Sequence, residues 1–247
     1  MKRRGSGRSA FLLALLASLL ALGALPAHAD PVTWLFTSCQ DVRTHILRAP
    51  DGEYVLSNSG RVFTVYCHDM AGTPREYIDL TGTGPNTNFS QYTAGGAAPG
   101  TDVRTTFTKL RVDPATLTVD IGDLTFASST GSLLHGGQTV TGMPYGVAMS
   151  CVGPNNAAGA GNIDLRNTPY QVANAFVVGG FAATGSATVS PDNQVINLRG
   201  GGYCGWVTPA PAMYNPFNPS PGNYHLKLAC APTAPATPQR PFCVNAA

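Results

Sequence analysis

The stretch from Arg104 to Ala127 reads RTTFTKLRVDPATLTVDIGDLTFA. Phe107 to Val112 has the composition of a strand, Asp113-Pro114-Ala115-Thr116 that of a turn, and Leu117, Val119 and Ile121 then alternate on one face. A period of two after a Pro-containing turn is the pattern of an antiparallel hairpin with one buried side. Past Ile121 the phase slips, because the next apolar residues are Leu124 and Phe126. A one-residue slip at Gly122-Asp123 is what a β-bulge produces.

The same pattern extends to either side of this stretch. Upstream, Glu53 to Leu56, the turn Ser57-Asn58-Ser59-Gly60 and Arg61 to Cys67 read as a second hairpin. Ser38 with Asp41 three residues on is a capping box, so a short helix is expected from Ser38 to Leu47, ended by Ala49-Pro50. Gly72 to Gly100 reads mostly as loop, with one apolar piece at Tyr77 to Leu80. Downstream, strands are expected at Asn162–Leu165, Ala173–Val178, Ser186–Val189, Val195–Arg199 and Tyr224–Ala229. Pro191-Asp192-Asn193 turns the third into the fourth, since Pro presets φ and Asn tolerates the left-handed region. The fold expected is mainly β (α+β), a single domain of disulfide-stapled antiparallel hairpins with a short N-terminal helix.

Composition agrees. Of the 247 residues 11% are charged, under half the roughly 25% usual for soluble domains. That excludes a solvating tail and a coiled coil. The 28 Gly and 20 Pro follow no G-X-Y period, which excludes collagen.

Residues 1–29 read as a signal peptide. Lys2, Arg3, Arg4 and Arg8 precede an apolar run from Ala10 to Leu25, and Ala27-His28-Ala29 is a small-x-small cleavage site. The four basic residues leave with it, so 11 basic face 13 acidic residues in the 218 that remain. A nucleic-acid partner, which needs a basic stripe, is not expected. Nor is a membrane partner after cleavage, because no later apolar run is long enough to span a bilayer. Lys109 and Lys227 are the only later lysines, a bias expected of a GC-rich bacterial genome. The remaining segments are the domain at 30–231 and a Pro-rich tail at 232–247.

Cys39, Cys67, Cys151, Cys204, Cys230 and Cys243 all follow the leader. An even number in an exported chain implies disulfides, and six allow 15 pairings that spacing alone does not resolve. The expectation adopted is sequential: Cys39–Cys67, Cys151–Cys204 and Cys230–Cys243. The first would staple the helix to the upstream hairpin.

Several chemistries are excluded. No His precedes a Glu, so H-E-x-x-H is absent, as are G-x-S-x-G and the P-loop. Glu53 and Glu76 are the only glutamates, a poor set for glycoside hydrolysis. Asp120 and Asp123 form a carboxylate pair that reads first as turn hydrogen bonding. His68-Asp69 beside Cys67 reads as loop hydrogen bonding before it reads as metal ligation. No catalytic residue, metal ligand or cofactor is assigned.

Asp51-Gly52-Glu53-Tyr54, Val65-Tyr66-Cys67 and Tyr77-Ile78 resemble the opening of the GON domain, a module found C-terminal in some ADAMTS metalloproteases and free-standing in secreted bacterial proteins. The likeness continues through Lys109-Leu110-Arg111-Val112-Asp113, Asn162-Ile163-Asp164-Leu165 and Gly201-Gly202-Tyr203-Cys204-Gly205. The opening is also similar to that of fibrinogen-like domains, but their Gly-Gly-Trp run is missing. Animal GON domains carry more cysteines, whereas here Trp206 and Val207 follow Gly205; this departure favours Cys151 pairing with Cys204. In the ADAMTS enzymes the protease is a separate domain, so the resemblance implies an ancillary module. The expectation is a secreted (extracellular or periplasmic), non-catalytic protein binding an extracellular glycan, envelope component or protein, with Tyr92, Tyr145, Tyr214 and Phe217 as exposed contact aromatics. The alternative is a metalloendopeptidase-associated or unrecognised secreted hydrolase.

Overall fold

The computed structural model describes residues 35–211, 225–232 and 242–245. The leader, Tyr214, Phe217, Tyr224 and most of the Pro-rich segment lie outside the described residues. Helix α1 (Cys39–His45) comes first, then the hairpin β1 (Gly52–Asn58) and β2 (Arg61–His68), and β3 (Arg75–Asp79). Next are β4 (Phe89–Thr93), β5 (Val103–Phe107), β6 (Lys109–Asp113), β7 (Thr118–Asp120) and β8 (Ala127–Thr130). A small hairpin, β9 (Leu133–His135) and β10 (Gln138–Val140), precedes β11 (Ala148–Ser150), β12 (Gly159–Asp164) and β13 (Tyr170–Val172). Then come β14 (Phe176–Phe181), β15 (Thr184–Val189), β16 (Val195–Gly201), β17 (Cys204–Pro209), β18 (His225–Cys230) and β19 (Cys243–Asn245). None of the described residues forms a helix long and apolar enough to cross a membrane.

Two sheets carry the fold. The first runs β1-β2-β3-β6-β7-β18-β13, with β19 beside β2. The second runs β14-β17-β11-β4-β12-β16-β15, with β5 and β8 branching from β4. One continuous apolar core takes residues from both, among them Phe63, Leu110 and Val119 of the first and Tyr92, Met149 and Ile163 of the second.

Local chemistry sets several boundaries. Ser38 caps α1, accepting the Asp41 N–H at 3.0 Å. Ser59 and Gly60, both at positive φ, make the two-residue turn of the β1–β2 hairpin. The expected hairpin around Pro114 is β6–β7, with Val112 opposite Val119. Asn193 takes the left-handed conformation expected of it between β15 and β16.

Four expectations need correction. Phe107 to Val112 is not one strand: it breaks at Thr108, so Phe107 ends a strand of the second sheet and Lys109 begins one of the first. Gly122-Asp123 is no bulge; β7 ends at Asp120, whose side chain accepts the Gly122 N–H at 3.1 Å and whose carbonyl accepts that of Asp123 at 3.2 Å. The loop expected over Gly72–Gly100 contains β4, which pairs with β5, β11 and β12. Of Ala173 to Val178 only Phe176 to Val178 is strand, the start of β14, because β13 already ends at Val172.

Asn88 introduces β4 from a left-handed conformation and is fully buried. Its Nδ2 donates to the carbonyls of Gly82 and Asp164, both at 2.8 Å. Its Oδ1 accepts the Tyr145 hydroxyl at 2.6 Å and the Asp164 N–H at 2.8 Å. The amide is thus bonded in all its capacity, and the Asn88-Phe89-Ser90 sequon is closed to modification in the folded chain.

The disulfides are sequential: Cys39–Cys67, Cys151–Cys204 and Cys230–Cys243. The first ties α1 to β2. The third holds β19, from within the Pro-rich segment, against the end of β18, and β19 pairs with Arg61–Phe63 of β2.

A polar and aromatic outer face as the candidate functional site

Alternation puts Phe63, Val65 and Cys67 of β2 in the core and sends Thr64, Tyr66 and His68 outward. The register sets Tyr66 opposite Tyr77, and Tyr77 opposite Arg111. His68 faces Arg75 and Asp79 faces Lys109 in the same way. Phe126, beyond β7, lies over this face. Its ring meets those of Tyr77 at 4.8 Å, His68 at 5.0 Å and Tyr66 at 6.0 Å, all edge to face. Edge-to-face packing of this kind is attractive and directional.

Charges are fixed into the same array. Lys109 pairs with Asp79 and lies 4.2 Å from the Tyr66 ring centroid. Arg111 reaches Asp120 at 3.4 Å and Asp123 at 3.7 Å. The Tyr77 hydroxyl donates to Asp123 at 3.1 Å. Burial raises the Asp123 carboxyl, but the bonds from Thr125 and Tyr77 and the Arg111 charge outweigh it and leave it below the ordinary carboxylate range. Burial and the Asp123 charge push the Tyr77 phenol up.

A cleft opens beside Tyr66. Glu53, Thr64, Tyr66, Asp79, Thr81 and Asn167 line it together with Pro169 and Tyr170, and its cavity volume is about 30 Å³, a narrow notch rather than a chamber. A shallower recess shares Thr81 and Asn167 and continues to Asp164, Arg166 and Gln194. There Arg166 clamps the buried Asp164 carboxylate with contacts of 2.5 to 3.1 Å, and this bond is the main cause holding the Asp164 carboxyl below its usual value.

The structure therefore brings His68, Asp120 and Asp123 onto one face. The two aspartates share one guanidinium, and the Asp123 carboxyl pKa is lowered, the opposite of what a general acid needs. His68 Nδ1 sits 2.9 Å from Asp51 Oδ2, while Asp69 turns away to accept the Thr73 N–H at 2.8 Å. The aromatic expectation is overturned in part. Tyr92 and Tyr145 are fully buried, because β4 is a central strand and Tyr145 bonds Asn88. Among the described residues the exposed aromatics are Phe181 (74%) and Tyr203 (50%), 5.9 Å apart at the second sheet. Alternation gave no signal for them, as both sit among Gly and Ala.

One group of described residues has metal-ligand geometry: His135, Cys151 and Cys204. Both sulfurs are in the disulfide, which removes the thiolates a metal would need.

A two-sheet, disulfide-stapled β module with a preorganised polar and aromatic face is the class these observations define. The family model that matches is the GON domain, over residues 36–102 and 97–215, and the chain belongs to that family. It is similar to the Caenorhabditis elegans protein "A disintegrin and metalloproteinase with thrombospondin motifs gon-1", at 24% identity over 204 residues, covering 70% of this chain and 9% of that one. The Mus musculus and Homo sapiens proteins "A disintegrin and metalloproteinase with thrombospondin motifs 20" match at 25% and 26% identity, covering 71% and 70% of this chain and 10% of each of theirs. The chain thus spans about a tenth of the length of these relatives. No solved structure matches it.

Proposed function

We propose that this GON domain is a secreted, non-catalytic binding module, and that its ligand is an extracellular glycan lying across the mouth of the cleft beside Tyr66. The observation that carries this reading is the composition of that cleft. A partly buried tyrosine ring, held in place by Lys109 and Phe126, borders the carboxylates of Glu53 and Asp79 and the Asn167 amide. An aromatic face takes the C–H side of a sugar ring, and carboxylates and amides bond its hydroxyls. Side chains already fixed by strand register and cation–π contact lose little freedom on binding.

Three disulfides support a destination in an oxidising compartment, and the leader-like N-terminus supports export, to the medium or to the periplasm. The metalloproteinase of the relatives' names is not carried over, since this chain holds no H-E-x-x-H and spans about a tenth of their length. An envelope polymer falls within the glycan reading, whereas a protein ligand is a competing outcome.

The test is retention of the oxidised chain on insoluble polysaccharides and envelope preparations, with protein-coated beads as comparison. Selective retention on one polysaccharide class is expected. Retention on protein beads alone, or on nothing, overturns the glycan reading.

A further inference from the structure

The Cys151–Cys204 bridge differs from the other two in its surroundings. On β11 and β17, Ser150 lies opposite Gly205, so Cys151 and Cys204 are the next pair outward on strands already joined by a hydrogen-bonded ladder. The two ends of the bridge are unequal. Cys151 is 1% exposed, while Cys204 is only partly buried, beside the exposed rings of Tyr203 and Phe181. The Tyr92 hydroxyl lies 2.8 Å from the Cys151 sulfur and 2.7 Å from His135 Nδ1. A disulfide sulfur carries no hydrogen, so the phenol is the donor in the sulfur contact, and with its single hydrogen placed there it accepts from His135 in the Nδ1–H tautomer. Among the described residues, neither of the other bridges has a hydroxyl bonded to a sulfur; Cys39 and Cys67 are both fully buried, whereas Cys230 is partly buried like Cys204, so it is the Tyr92 contact that sets this bridge apart.

We propose that Cys151–Cys204 is an exchange-active disulfide, attacked at Cys204 by a low-molecular-mass thiol, with Cys151 as the leaving thiolate. The incoming thiolate forms a bond to the Cys204 sulfur, the Cys151–Cys204 bond breaks, and its electron pair stays on Cys151. Departure is favoured where the leaving thiolate is stabilised, and the Tyr92 O–H is aimed at that sulfur. A second thiolate then attacks the outer sulfur of the adduct and frees Cys204. Two thiols have been oxidised to their disulfide, and the protein bridge has been reduced to a dithiol. Because β11 and β17 stay paired through their backbones, the two thiols remain neighbours and the step reverses under oxidising conditions. Burial lowers the His135 pKa, which keeps the imidazole neutral beside the phenol. The accessible Phe181 and Tyr203 rings give an organic thiol an apolar surface to approach.

The test uses the oxidised full chain treated with graded reduced glutathione, quenched by alkylation and mapped by peptide mass without prior reduction. Cys151–Cys204 is expected to open first, with the glutathione adduct on Cys204. Tyr92→Phe is expected to slow that opening about tenfold, the order of a lost hydrogen bond to a charged group. An adduct on Cys151, earlier opening of either other bridge, or a Tyr92→Phe rate equal to the native one overturns the proposal. If Tyr92→Phe does not fold, judged by circular dichroism, the position of the adduct in the native chain decides alone.

Discussion

Replacing Asn88 with alanine removes four side-chain hydrogen bonds at once. The groups left behind are the Tyr145 hydroxyl, the Asp164 N–H and carbonyl, and the Gly82 carbonyl. Gly82 borders the recess beside Arg166, where water can replace the lost donor. The other three sit in the core, where an unsatisfied group costs about 1–3 kcal/mol. Alanine also inherits the left-handed backbone of Asn88, at φ 50°, for about 1 kcal/mol more. The expected loss is about 4 kcal/mol, a large share of the roughly 5–15 kcal/mol that stabilises a domain. Urea unfolding of the oxidised chain reads it as a lower midpoint at unchanged slope. Tyr145→Phe removes one of the four bonds while Asp164 N–H still occupies the Asn88 oxygen, so about 1 kcal/mol is expected. An Asn88→Ala loss below about 1 kcal/mol would mean that the network adds nothing beyond ordinary substitution.

Three further outcomes follow from single contacts. Ser38→Ala should cost about 1 kcal/mol in the same urea assay, since the cap leaves the Asp41 N–H without its acceptor. Arg166→Ala should move acid unfolding to higher pH: Asp164 is held below its ordinary pKa, so its contribution is complete above that ordinary value and is lost as pH falls through the depressed one, and removing the guanidinium removes the depression. Circular dichroism against pH measures this, and an unshifted midpoint would show that the clamp adds nothing. The double replacement of Cys39 and Cys67 by alanine should cost about 2–4 kcal/mol in thermal or urea unfolding, because the bridge closes a 28-residue separation between α1 and β2.

What the sequence made legible was mostly local. The Ser38 cap, the Ser59-Gly60 turn, the β6–β7 hairpin and the Asn193 turn each depend on a few adjacent residues, and each stands where those residues put it. β4 was illegible for the opposite reason. Its residues lie between Thr, Gly and Asn, and its partners β11 and β12 come from about 60 and 70 residues further along the chain. Burying β4 also buried Tyr92, which read as a loop aromatic. The site was legible in pieces: His68, Asp120 and Asp123 stood out individually, but only the register of β2, β3, β6 and β7 puts them on one face with Tyr66, Tyr77 and Lys109. The same register lets Arg111 project from β6 toward both aspartates.

The most direct test of the central claim is calorimetric titration with soluble oligosaccharides of whichever polysaccharide retains the chain. It compares the native protein with Tyr66→Ala, in the cleft, and Phe181→Ala, on the exposed ring pair of the other sheet. Tyr66→Ala is expected to weaken binding at least about tenfold, the order of one lost aromatic contact, and Phe181→Ala to leave it unchanged. Binding that survives Tyr66→Ala and is lost in Phe181→Ala, with both variants folded, would contradict that claim and move the ligand site to the second sheet.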